Sequence, residues 1–96
     1  MSMKDAYKQK AEAELEIAHS KVAEFKARAK NFTADTRISY AKHLDELEHS
    51  VATAKARLTE LGEAGEDGWE KLKEGVERAL TGLRKAMHEV AEKFRD

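Results

Sequence analysis

The chain has 96 residues with 18 basic and 19 acidic side chains, a net charge of −1, 39% charged positions and only 6% aromatic ones. This length holds one domain with a modest core. The lack of cysteine excludes disulfides and thiolate chemistry, and the even charge balance excludes a global field favouring nucleic acid or acidic membranes.

From the N-terminus, Met1 to Lys10 is polar and charged, without the apolar run of a secretory signal. No stretch approaches the ~20 apolar residues of a spanning helix, so a cytoplasmic protein is expected. Ala11, Leu15, Ala18, Val22, Phe25, Ala29 and Phe32 then recur at alternating gaps of 4 and 3, the seam of a coiled-coil helix. A second run, Leu44, Leu47, Val51, Ala54, Leu58 and Leu61, follows the same rule but is out of phase by one residue. Thr36 and Tyr40 bridge the two through successive gaps of 4, which locally unwinds a left-handed supercoil. One helix over about 4–61 therefore keeps its stripe on one side.

The clearest punctuation is Leu61-Gly62-Glu63-Ala64-Gly65-Glu66-Asp67-Gly68. Gly62 suits the left-handed end of a helix, and Asp67 with Glu70 reads as a capping box. A helix over about 67–95 follows, with the stripe Trp69, Leu72, Val76, Leu80, Leu83, Met87, Val90 and Phe94. Folded back antiparallel, it lays Trp69 on Leu61, Leu72 on Leu58, Val76 on Ala54, Leu83 on Leu47 and Val90 on Tyr40.

The expected architecture is all-α: an antiparallel hairpin with arms of ~85 Å and ~40 Å at ~1.5 Å per residue. Half of the longer arm then has an uncovered apolar seam, which predicts a homo-oligomer assembled through Leu15, Val22, Phe25 and Phe32. The alternative is a compact three-helix bundle with a break near 31–35, ended by Asn31 and capped by Thr33 or Asp35. The continuous helix is preferred because the break has no glycine or proline and would place Phe32 in a turn.

Ala64-Gly65-Glu66-Asp67-Gly68-Trp69-Glu70-Lys71-Leu72-Lys73-Glu74-Gly75-Val76-Glu77-Arg78-Ala79-Leu80 resembles the C-terminal signature of small bacterial coiled-coil proteins of about a hundred residues. Some of these are labelled stress-response proteins. The likeness extends upstream through Ala34-Asp35-Thr36-Arg37-Ile38-Ser39-Tyr40 and the Leu44–Leu61 heptads, about two thirds of the chain. Gly68 stands where that family has alanine, and Leu80 where a second large aromatic is common. The resemblance implies a long helix followed by a shorter one and a role in stress or envelope physiology. It carries no catalytic residue.

Two Glu-x-x-His motifs, Glu16/His19 and Glu46/His49, have the i,i+3 spacing that di-iron bundles use. In the heptads they flank the seam or face away from it, so solvated surface residues are expected and no metal is assigned; His43 and His88 have no better case. Gly62-x-x-Gly65-x-x-Gly68 lacks a preceding strand and is crowded by Glu63, Glu66 and Asp67, so it reads as a hinge and not a phosphate loop. The basic residues Lys26, Arg28, Lys30 and Arg37 are spread around the helix beside Glu24 and Asp35, which speaks against nucleic acid. The 69–94 stripe would also suit a membrane surface, but the same residues are required for packing. The expectation is a non-enzymatic structural or interaction protein without a cofactor. Its alternatives are a lipid-surface-binding helical protein and a Glu-x-x-His metal-binding bundle.

Overall fold

A computed structural model describes residues 2–93; Phe94 and Arg95 of the stripe and helix end expected above lie outside them. Three helices follow in order: α1 (Met3–Ala29), α2 (Ala34–Glu63) and α3 (Trp69–Lys93). The molecule measures 51 × 19 × 18 Å, close to the length of its 30-residue helix α2. The expected two-helix hairpin with an ~85 Å arm is therefore corrected: the chain is the three-helix bundle, broken at residues 30–33.

The reason lies in the seam. In a straightened single chain, Ala11, Ala18, Val22, Phe25 and Ala29 would face water; in the bundle all five are buried. Burying Val22 and Phe25 contributes roughly 1.5–3 kcal/mol each. Interrupting the helix removes only a few hydrogen bonds, and local groups replace most of them. Asn31 and Phe32 N–H donate to the carbonyls of Arg28 and Ala29, both at 3.1 Å. Thr33 is the N-cap of α2, accepting from Thr36 N–H at 3.3 Å. Arg37 donates to the carbonyls of Lys30 at 3.0 Å and Phe32 at 3.4 Å, placing a cation where the α1 dipole is negative. Phe32 is not lost in the turn, because its ring packs on Tyr40 at 4.9 Å and closes that end of the bundle.

The second break also differs in detail. Gly62 stays inside α2, which runs to Glu63 and ends at Ala64 in extended conformation; among the described residues no glycine takes a positive φ. Gly62 lies beside the end of the Lys8 side chain of α1, whose Cε a Cβ there would meet at 3.3 Å. The Asp67–Glu70 capping box is likewise corrected. Asp67 is exposed, and Gly68 and Trp69 N–H both donate to the Gly65 carbonyl, at 3.0 and 3.2 Å. A turn of backbone starts α3 where a carboxylate was expected.

The core is one cluster shared by all three helices, with Leu47, Leu61, Leu83, Val76 and Val90 fully buried. Trp69, Leu58 and Leu80 join them, and Leu72 and Met87 are half-buried at the edge. The α2–α3 seam follows the 3-4 stripes of the two helices. α1 adds an alanine-rich strip of Ala11, Ala18 and Ala29, small enough for close packing.

Candidate functional site

α1 packs against the α2–α3 pair through polar contacts at its N-terminal half. Lys4 Nζ donates to the carbonyls of Ala64 at 3.0 Å and Gly62 at 3.4 Å, capping the end of α2. The Tyr7 hydroxyl donates to Glu77 Oε1 at 2.6 Å, and its ring lies 6.1 Å from that of Trp69. Lys73 Nζ stands 5.1 Å from the Tyr7 ring and 5.9 Å from the Trp69 ring, within cation–π range. Arg84 grips Glu14 with both arms, Nε at 2.5 Å and Nη2 at 3.0 Å. Burial first, and then the bond to Glu77, raises the Tyr7 pKa well above its usual range; the Glu14 hydrogen bond raises that of Arg84. These are helix-to-helix clasps. Their partners stand up to 70 positions apart, so no local motif announces them.

The opposite side of α1 is open. An elongated groove of about 1600 Å³ runs between α1 and α2, on a face that α3 does not fill. Buried Leu58 and half-buried Leu15 and Val51 line it, together with Ile17, which is 60% exposed. Charged residues surround them: Lys8, Glu12, Glu16, Lys21 and Glu24 from α1, Lys55 and Glu63 from α2. Ile17 is outside the heptad stripe; the signal for it was a lone β-branched residue on the polar face beside Leu15.

The four residues expected to drive assembly separate here. Val22 and Phe25 are buried within their own chain, and Phe32 is half-buried against Tyr40. Leu15 alone lines the groove. The uncovered seam that motivated this set does not exist in the bundle, because the break turns it onto α2 and α3.

The two Glu-x-x-His motifs are not brought together. Glu16 and His19 line the groove, whereas Glu46 and His49 are exposed elsewhere on α2. Among the described residues no group of three or more His, Asp or Glu side chains could hold a metal ion. His43 Nδ1 is buried without a hydrogen-bond partner, and His88 stands 3.8 Å from Glu92 on the surface. Of the basic stretch, Lys26 pairs with Glu48 at 2.5 Å and Arg37 caps α1. The apolar stripe of α3 is turned into the core, and no helix among the described residues is long and apolar enough to cross a membrane. Compared with protein-family models, curated proteins and solved structures, the chain matches none.

Proposed function

We propose that this chain is a non-enzymatic protein-interaction module whose α1/α2 groove receives an amphipathic helix. One observation supports this above all: the groove has an apolar base of Leu15, Val51 and Leu58, an exposed Ile17, and charges at both edges. That is the lining on which a helix docks, apolar face inward. α3 fills one side of the α1–α2 pair, and a helix in the groove fills the other, completing a four-helix arrangement. Binding suits this lining better than turnover, since the groove's single imidazole, His19, and its glutamates have no buried nucleophile beside them. The Gly65-Glu66-Asp67-x-Trp69 resemblance supports a bacterial, stress-related setting, and the charge-rich helices support a cytoplasmic one.

A photo-reactive side chain at position 17, expressed in cells, tests the reading against the same group at Arg78 on the outer face of α3. Polypeptide adducts at position 17 that are absent at position 78 are expected. Adducts with lipid alone, or none, would overturn the proposal.

A further inference from the structure

We infer that two copies of this chain exchange their first helices: the turn at 30–33 straightens, and α1 of each chain seats on α2 and α3 of the other. The surface used is the one α1 already occupies in the single bundle, so the inference stands apart from the reading of the groove. Each groove persists, walled by α1 of one chain and α2 of the other.

A repeat of faces carries it. Ala11, Leu15, Ala18, Val22 and Phe25 are each followed, 36 positions on, by Leu47, Val51, Ala54, Leu58 and Leu61. At 3.6 residues per turn that is about ten whole turns. Burial repeats with it: Leu15 and Val51 are half-buried, and the other pairs are buried. Lys8 and Gly62, neighbours across the α1–α2 seam, stand 54 positions apart, about fifteen turns. Glu14 holds Arg84 of α3, and Arg57 lines a notch between α2 and α3 with Leu72 and Ala79. These two are 43 positions apart, about twelve turns. In one straight helix, the face of α1 that meets α2 therefore points the same way as the face of α2 that meets α1. The flank that meets α3 is shared as well. Two such helices laid antiparallel about a two-fold axis at the turn need that agreement. Each half of the dimer then repeats the packing of the single bundle, with the Lys4, Tyr7 and Glu14 clasps now made between chains.

The turn is easily undone. Among the described residues none has a positive φ, and Lys30 is already helical at φ −62° and ψ −24°. Thr33, at ψ 161°, has to rotate to about −42°. Straightening gives up the Thr33 cap, the two Arg37 bonds and the Phe32–Tyr40 ring contact of the closed chain. It returns a continuous ladder of i→i−4 bonds across the turn.

Native mass and a cross-link, measured on chain refolded from denaturant at high concentration, test this. The two forms share their packing, so the dimer midpoint should follow the effective concentration set by a short connection, about 1 mM. Thr33→Ala removes a cap needed only in the closed form, twice per dimer, and should lower that midpoint at least ~5-fold. Ala34→Pro suits the first turn of α2 but not the interior of a continuous helix, and should raise it at least ~100-fold. The chain has no cysteine, so Lys8→Cys with Gly62→Cys supplies a single thiol pair. In the closed form that pair lies within one chain. After exchange, residues 8 and 62 of one chain are ~80 Å apart, and each faces the other chain. A short bismaleimide added to the isolated dimer should therefore give a covalent product of twice 10.8 kDa under denaturing conditions. A dimer that separates into internally linked single chains would overturn the proposal. So would a dimer that Ala34→Pro forms as readily as the parent, or a Thr33→Ala chain that stays monomeric at ~1 mM.

Discussion

Lys4, in the first turn of α1, donates its ammonium to the carbonyl of Ala64, 60 residues later, at 3.0 Å. α2 has no basic residue in its own last turn, so the cation that its C-terminal dipole favours comes from another helix. The same contact anchors the start of α1 on the α2–α3 connection. Lys4→Met keeps most of the aliphatic stem and removes the charge. It should destabilise the bundle by ~0.5–1.5 kcal/mol, seen as a lower urea midpoint with an unchanged slope.

Phe25 is 5% exposed and belongs to the same cluster as Leu47 and Leu83. Phe25→Ala should cost about 3–5 kcal/mol, a large share of the ~5–15 kcal/mol expected for a small domain. Val22→Glu with Phe25→Glu should go further and abolish the cooperative thermal transition followed by circular dichroism. In an uncovered arm the same double change would only separate subunits, leaving helicity intact. The two architectures thus predict opposite outcomes.

The first turn accepts a residue that its sequence lacks. Thr33 has φ −61° and ψ 161°, the conformation favoured before proline, and Ala34 is the first residue of α2, where no intrahelical N–H bond is lost. Ala34→Pro should therefore stabilise the bundle by ~0.4–1 kcal/mol, or a few degrees in Tm. In one continuous helix the same proline would remove a bond and destabilise by ~3 kcal/mol. Gly82→Ala should add ~0.5–1 kcal/mol by improving helix propensity, because a Cβ there meets nothing within 4 Å. Thermal melts of the two single variants check both.

Tyr7 gives the bundle a pH dependence at the alkaline end. Burial and the bond to Glu77 raise its folded-state pKa above the unfolded value near ~10. Raised in the folded state, the group contributes stability that is whole below about pH 10 and is lost as pH climbs beyond it. The stability difference between parent and Tyr7→Phe should be constant up to ~pH 9 and move in favour of the variant above ~pH 10, in chemical denaturation at each pH. It should not exceed about 1 kcal/mol, because the pair is at the surface.

The all-helical content, the inward stripes and the break before α3 are legible in the residues alone. Trp69, Leu72, Val76, Leu80, Leu83, Met87 and Val90 recur every 3 or 4 positions, and that period has one helical interpretation. The break at 30–33 was only half legible. Asn31 and Thr33 offered a stop and a start, but a seam that bridges smoothly from Phe32 to Leu44 also permits a straight helix. Local capping differs between these states by about 1 kcal/mol, too little to choose. The choice falls to burial of Val22 and Phe25, a contact across the whole fold.

Of the candidate site, Leu15, Val51 and Leu58 could be named from their heptads, while Ile17 and Lys55 acquire meaning only once α1 lies beside α2. The amino-acid order by itself therefore determined the periodicity, the charge balance and the exclusion of thiol chemistry, all properties of one helix or of composition. Tertiary structure alone decided where the chain turns, which face of α1 is covered and which groove stays open. Those depend on pairings between residues tens of positions apart, which no local pattern encodes.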